Sequence, residues 1–171
     1  MSTILKVSLE DAETISLLAK KTFLESHSHS ANQSDIDSYV EKHYSLDAIS
    51  EDLSIEANIY FLIYYGKEAV GYSKVVLNTS IQDHEKSLST KLDRIYILEK
   101  FYGFGLGKKL LDFNLNLAKA KNQSDVWLYT WKGNHRAIAF YQKVGFEIIG
   151  SHDFKISETH ANPNHLMLLK I

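Results

Sequence analysis

The centre of the chain reads LDRIYILEKFYGFGLGKKLLDFNLNL over residues 92–117. Residues 92–98 predict a strand, and the apolar residues from Leu106 to Leu117 recur at the spacing of an amphipathic helix. Three alternate glycines between them let the backbone approach a ligand closely. The first amides of a helix lack partners within the helix and lie at the positive end of its dipole. Residues 102–108 therefore predict a phosphate-binding loop, with a tight strand-to-helix turn as the alternative interpretation.

Two familiar phosphate motifs do not fit this loop. The P-loop pattern needs a glycine five residues before Gly107 and a serine or threonine after Lys108. The chain has Tyr102 and Lys109 at those positions, which disfavours magnesium nucleotide hydrolysis. The dinucleotide fingerprint also fails, because its third glycine would fall on Lys108 or Leu110.

The elements on either side alternate in type. Periodicity predicts further strands at residues 3–7, 59–65, 69–77, 126–130, 146–156 and 165–171, with the last two separated by a loop around Pro163. It predicts helices from Ser8, over residues 35–43 with a continuation after a break at Ser45, and over residues 134–144. Gly145 is placed to end the last of these helices. This order predicts an α/β (α+β) fold, a mixed sheet with helices on its faces.

Composition describes one compact domain spanning residues 1–171. The chain has 44% hydrophobic and 23% charged residues, enough for a core without a metal or disulfide. It has no cysteine, which excludes thiolate metal sites and a cysteine nucleophile and fits a cytoplasmic protein. The net charge of −2 provides no field for nucleic acid or anionic lipid. The longest apolar run, residues 59–65, is too short to cross a membrane. We expect neither nucleic acid nor membrane as a partner.

A second segment, NHRAIAFYQKVGF at residues 134–146, follows the loop after a predicted helix and strand. Together the two segments resemble the acetyl-coenzyme A site of the GCN5-related N-acetyltransferase (GNAT) superfamily. The resemblance implies a central mixed, mostly antiparallel twisted sheet of about seven strands flanked by about four helices. It also implies acetyl-CoA as co-substrate and transfer of its acetyl group to an amine.

The resemblance also assigns residues. Tyr102 stands where arginine or glutamine is usual, and Phe104 where a polar residue is usual, so we expect weakened coenzyme affinity. The loop amides would bind the pyrophosphate, and the backbone of the preceding strand would pair with the pantetheine arm. The bulged end of that strand would place an amide near the thioester oxygen. Asn134 would contact the coenzyme near the pantetheine, and Tyr141 would be the general acid. The residues implied to bind coenzyme are Ile95, Tyr96, Ile97, Leu98, Tyr102, Gly103, Phe104, Gly105, Leu106, Gly107, Lys108, Asn134 and Tyr141.

The chemistry agrees with these roles. Acetyl transfer develops negative charge on the carbonyl oxygen and then on sulfur, so the site needs an oxyanion donor and a proton source. A phenol such as that of Tyr141 is protonated at neutral pH and can donate to a thiolate. No motif fixes a general base. Glu25, Asp93 and Glu99 flank the predicted site and are expected to be solvated surface charges.

A finer resemblance concerns the acceptor. Residues 22–23, 34–40, 71–74 and 127–146 resemble the bacterial Pai-type spermidine/spermine N-acetyltransferases. This implies a small polyamine acceptor, although His165 stands where related sequences often carry an aspartate. Its amines would pair with carboxylates near the acceptor end, for which the candidates are Glu25, Asp35, Asp37 and Glu41, although acids at helix N-termini also fit the helix dipole.

Two alternative functions stay open. The chain could instead acetylate a protein or peptide amine, or act as an acetyl-CoA-binding sensor without turnover. We expect a monomer or a homodimer. His27 and His29 lie two residues apart in a serine-rich segment without a third ligand at a metal-binding spacing, so we expect solvated loop histidines and no metal site.

Overall fold

The computed structural model describes residues 1–81 and 88–171, which form one sheet of seven strands with five helices. The strands are β1 (Ser2–Lys6), β2 (Asn58–Tyr65), β3 (Glu68–Val76), β4 (Ser89–Ile97), β5 (Asp125–Trp131), β6 (Glu147–Lys155) and β7 (Ala161–Lys170). The helices are α1 (Ala12–His27), α2 (Gln33–Tyr44), α3 (Leu46–Ser54), α4 (Leu106–Ala120) and α5 (His135–Val144).

The sheet is mixed and mostly antiparallel, as predicted. Its order is β1-β2-β3-β4-β5-β7-β6, and only β4 and β5 run parallel. The described residues contain five helices rather than about four, because the break expected at Ser45 separates α2 from α3. The Ser45 side chain accepts a hydrogen bond from the Ala48 amide at 3.4 Å and so caps α3.

Both faces of the sheet are covered, which explains the unbroken apolar run in β2. Successive side chains of a strand point to opposite faces. Phe61 and Ile63 pack into a core with α4 and α5, whereas Tyr60 and Leu62 pack into a second core with α1, α2 and α3. The predicted hairpin of β2 and β3 is confirmed, with Gly66 at a φ of +63° in its turn.

The predicted helix signals at Ser8 and Gly145 are confirmed. The Ser8 amide donates to the Asp11 carboxylate at 2.8 Å in a capping box, and a short 3-10 turn, Leu9–Asp11, leads into α1. Gly145 has a φ of +111°, and its amide donates to the Gln142 carbonyl at the end of α5.

The predicted loop around Pro163 is wrong, because β7 begins at Ala161 and Pro163 lies within it, opposite Asp153 of β6. The Pro163 carbonyl accepts a hydrogen bond from the Lys132 amide at 2.9 Å. The hydrogen-bonding groups of Pro163 therefore point towards β5, which ends at Trp131, and away from β6. The missing N–H costs no bond to β6, so the strand tolerates the proline.

The one parallel pair creates an opening in the sheet. β4 and β5 pair only through Ser89–Lys91 and Asp125–Trp127, and they separate beyond those residues. The rest of β4 and the end of β5 thereby become the two walls of a cleft.

No helix within the described residues is long and apolar enough to cross a membrane.

Candidate active site

The cleft between β4 and β5 encloses about 540 Å³ and contains most of the residues that the sequence singles out. That volume is typical of a small-molecule site. Two of the predicted residues do not line it. Leu98 is buried in the core beneath α1, and Phe104 is 55% exposed and packs edge-on against Tyr65 and Phe101. The predicted residues that line the cleft are Ile95, Tyr96, Ile97, Tyr102, Gly103, Gly105, Leu106, Gly107, Lys108, Asn134 and Tyr141.

The glycine loop leaves the start of α4 open. Gly103 and Gly105 have φ values of +84° and +74°, a region that side chains with a Cβ rarely adopt. Gly105 is the N-cap of α4, and no side chain caps the helix. The Lys109 backbone amide donates to the Gly105 carbonyl at 3.0 Å and forms the first hydrogen bond within α4. The amides of residues 106–108 precede this bond. This cradle fits a diphosphate.

A cation from α5 lies at this loop. The Arg136 guanidinium carbon lies 3.4 Å from the centroid of the Tyr102 ring, a cation–π contact. Both residues line the cleft. Arginine or glutamine is usual at the position of Tyr102. Here the Arg136 side chain of α5 lies against the Tyr102 ring and brings a guanidinium to the same place. Sequence periodicity gave no signal for this contact, since the two residues come together only through the packing of α5.

The strand wall carries a bulge within β4, ahead of the segment that the resemblance implies to be bulged. Lys74 of β3 pairs with Arg94, and the next residue, Val75, pairs with Leu92. Asp93 is thus the extra residue of β4. The four positions that follow Arg94, residues 95–98, are those implied to pair with pantetheine, and three of them line the cleft.

Tyr141 is held at the floor of the cleft by α5. The Asn134 side chain accepts the Ala137 amide at 3.1 Å and caps this helix. Tyr141 is 8% exposed and packs against Phe140 and Phe146. Its hydroxyl has no hydrogen-bond partner among the described residues. Burial raises the pKa of Tyr141, and nearby Arg136 offsets this only in part, so the phenol stays protonated at neutral pH.

The other end of the cleft is lined by aromatic side chains from α1, α2, β5 and β6. Our prediction of a solvated loop for His27 is wrong, because His27 is the last residue of α1 and stacks on Phe23 with ring centroids 4.6 Å apart. Burial lowers the pKa of His27 to about 4, and a hydrogen bond to the Phe23 backbone opposes this only partly. The imidazole is therefore neutral at pH 7. His29 is exposed, as predicted.

The prediction that Asp93 is a solvated charge is also wrong. Its carboxylate lies 2.7 Å from the Lys91 ammonium and 3.2 Å from that of Lys74. Lys74 also pairs with Asp52 at 2.9 Å. Burial would raise the pKa of Asp93, but the two ammonium groups hold it at about 2. Asp93 is thus ionised and already paired.

Arg94 is a cleft residue that sequence reasoning missed. Its Nη1 donates to the Tyr60 hydroxyl at 2.9 Å, and its guanidinium carbon lies 5.0 Å from the Tyr44 ring centroid. The available signal was a charged pair, Asp93 and Arg94, within the otherwise apolar stretch of residues 92–98. Charged residues at such positions are rare unless they are paired or functional.

The four acids expected near an amine acceptor lie elsewhere. Asp93 is the one carboxylate among the described residues that line the cleft. Glu25 accepts the Glu99 amide at 2.8 Å, and Glu41 lies 3.7 Å from the Lys20 ammonium. Asp35 and Asp37 accept hydrogen bonds within the first turns of α2. Across residues 1–81 and 88–171, no cluster of three His, Cys, Asp or Glu side chains is arranged to hold a metal ion.

An opened parallel strand pair, an uncapped helix start and a buried phenol border one cleft. The model of the acetyltransferase (GNAT) family matches residues 21–146. The chain therefore belongs to the GNAT family of acetyltransferases.

Individual relatives agree with this assignment. An uncharacterized N-acetyltransferase of Lactobacillus delbrueckii subsp. lactis is 23% identical over 91% of this chain and 90% of its own length. The spermine/spermidine N(1)-acetyltransferase of Bacillus subtilis is 33% identical, but over only 54% of this chain and 61% of its own length. The PaiA N-acetyltransferase of Thermoplasma acidophilum, solved with coenzyme A, has the same fold, with a TM-score of 0.79 at 20% identity over 100% of this chain and 99% of that one.

Proposed function

We propose that the chain transfers the acetyl group of acetyl-CoA to a primary amine of a small molecule, by direct transfer. One observation carries the proposal: the uncapped start of α4 and the free hydroxyl of Tyr141 border the same cleft. If the start of α4 binds the diphosphate of a ligand, the Tyr141 hydroxyl stays free to contact the reacting end of that ligand.

Binding is assigned to the backbone. The amides of residues 106–108 receive the diphosphate, and Arg136 adds positive charge beside it, whereas the Lys108 ammonium already pairs with Asp112. The exposed edge of β4 at residues 95–97 pairs with the amide-bearing pantetheine arm as a peptide strand would. Acetyl-CoA supplies the activated acyl group as a thioester.

Starting from the neutral amine, transfer gives one proton to sulfur and removes one from nitrogen; an ammonium must first lose a further proton, and Tyr141 must regain its own from water afterwards. The amine nitrogen attacks the thioester carbonyl carbon, the carbon–sulfur bond breaks, and Tyr141 protonates the departing sulfur. The amine loses its proton to water, because Asp93 and His27, with pKa values of about 2 and 4, are weak bases. An alkylammonium of ordinary pKa is about 0.1% neutral at pH 7.4, so we propose that this small neutral fraction of the acceptor limits the rate.

A polyamine acceptor is the finer candidate, and the Bacillus subtilis relative supports it. A polycation would need carboxylates in the cleft. Among the described residues Asp93 is the one that lines it, and Lys74 and Lys91 already pair with this group. The Bacillus subtilis relative therefore favours a polyamine acceptor, whereas the charges of the described cleft residues do not favour a polycation.

The proposal is tested by thiol release from acetyl-CoA with spermidine, lysine and a peptide panel as acceptors. Release with small amines supports it. Turnover of peptides alone would instead indicate a protein or peptide acetyltransferase, and tight acetyl-CoA binding without any turnover would indicate a sensor.

A further inference from the structure

We call the end of the cleft that is lined by aromatic side chains the acceptor end. A cluster of described residues with excess positive charge borders it, and Lys91, Asp93 and Arg94 of this cluster line the cleft. Three cations, Lys74, Lys91 and Arg94, meet two carboxylates, Asp52 and Asp93. Lys74 bridges both carboxylates and Lys91 pairs with the second. No described carboxylate forms an ion pair with Arg94. Arg94 reaches a carboxylate through the Tyr60 hydroxyl, which accepts from Arg94 and donates to Asp52, so one positive charge of the cluster has no direct carboxylate partner.

Arg94 presents that charge to the cleft. A guanidinium has five N–H donors, and among the described residues one of them is used, in the bond to the Tyr60 hydroxyl. The chain has only two arginines against seventeen lysines, and both arginines line the cleft. Arg136 lies at the glycine loop, and Arg94 at the opposite end. The planar fork of arginine binds carboxylates through two parallel hydrogen bonds, which lysine does not match.

A second, independent feature of the same end points to a ligand. Asn162 and Asn164 of β7 line the cleft and are 2% and 8% exposed. The Nδ2 of Asn162 and the Oδ1 of Asn164 are buried without a hydrogen-bond partner in the described part of the chain. Buried amide groups without partners are destabilising. A ligand that accepts one hydrogen bond and donates another would satisfy both.

We propose that the acceptor is a primary amine that also carries a carboxylate group, and that Arg94 binds this carboxylate. The Asn162 amide donates a further hydrogen bond to it, and Asn164 Oδ1 accepts one from the amine. The rings of Tyr39, Tyr44 and Phe154 cover the body of the ligand. This proposal rests on the proposed acetyl transfer and specifies its substrate class.

The direct test compares amines that differ only in the carboxylate. Lysine is paired with cadaverine and tyrosine with tyramine, and spermidine represents the polyamines. The measured quantity is kcat/KM for thiol release from acetyl-CoA. We expect the carboxylate member of at least one pair to be favoured by about 10- to 100-fold, the effect of one or two charge-assisted hydrogen bonds. Preference for the decarboxylated amines or for spermidine would overturn the proposal.

Variants assign the preference to the guanidinium. Arg94→Gln should abolish it by raising KM for the carboxylate member more than for the decarboxylated one. Arg94→Lys keeps the charge and should retain part of the preference. Lys143→Gln removes one positive charge from the exposed face of α5 and serves as the matched control. A preference that survives unchanged in Arg94→Gln would refute the role of Arg94.

A binding measurement separates this proposal from acetyl transfer itself. If no amine is acetylated, the proposed function fails, and titration calorimetry of the same amine pairs into the protein with coenzyme A decides the carboxylate subsite. Binding that requires both the carboxylate and Arg94 supports the subsite. Equal binding of both members of every pair contradicts it.

Discussion

Tyr141 carries the proton-transfer step at the scale of a single residue. Replacing it with phenylalanine keeps the ring that packs against Phe140 and Phe146 and removes only the hydroxyl. We expect Tyr141→Phe to lower turnover by about 10²-fold or more, the usual effect of losing a general acid, with coenzyme affinity nearly unchanged. Tyr65→Phe, outside the cleft, is the control. Unchanged turnover in Tyr141→Phe at saturating substrate would remove this residue from the mechanism.

Gly105 allows a second comparison between single residues. A Cβ at Gly105 meets nothing within 4 Å, and the same is true of Gly66 in the β2–β3 turn, where φ is also positive. Alanine at either position should therefore cost about 1 kcal/mol of stability through backbone strain alone. Only Gly105→Ala should also weaken acetyl-CoA binding, measured by calorimetry. Equal coenzyme affinity in the two variants would exclude the loop as the phosphate site.

The end of α1 gives a prediction at the scale of an element. With its pKa at about 4, His27 stays neutral in the folded chain while the unfolded chain takes up a proton below its ordinary value of 6.5. Stability from this group is therefore complete above pH 6.5 and is lost as the pH falls towards 4, by up to about 3 kcal/mol.

Urea unfolding of His27→Phe should show a flatter loss of stability over that range than the native sequence. His29→Gln changes an exposed histidine two residues away and should leave the slope as it is. An unaltered slope in His27→Phe would show that burial of this imidazole does not govern the acid sensitivity.

Local pattern was sufficient for most elements. The apolar run of β2, the capping box at Ser8 and the glycine at the end of α5 all act over a few residues, and each predicted its element correctly. Pro163 misled the prediction, because its tolerance depends on where β5 ends, many residues away in sequence.

For the candidate site too, the sequence predicted the contiguous motifs but not the contacts that depend on packing. The glycine loop and the segment around Tyr141 are contiguous motifs, and the sequence located both. The environments of His27 and Asp93 depend on how α1, β3 and β4 pack together, which no local pattern reports. Arg94 was missed for the same reason, since its only described hydrogen bond reaches across to Tyr60 of β2.

At the scale of the whole molecule, the electrostatics of the cleft predict the pH dependence of the reaction. Asp93 and His27 are both weak bases, so the enzyme depends on the fraction of acceptor that is already neutral. We expect kcat/KM to rise about tenfold per pH unit between pH 6 and 8 for an alkylamine of ordinary pKa. A plateau below pH 7 would reveal a base of near-neutral pKa that this account does not contain.

The central claim is that acetyl-CoA binds between β4 and the start of α4. Amide hydrogen exchange with and without acetyl-CoA tests it most directly, since the amides of residues 106–108 precede the first bond within the helix and should exchange quickly in the free protein. We predict slowed exchange at residues 106–108 and 95–97 when acetyl-CoA is bound, and no change in β6. Acetyl-CoA binding that leaves exchange in both segments unaltered would contradict the account.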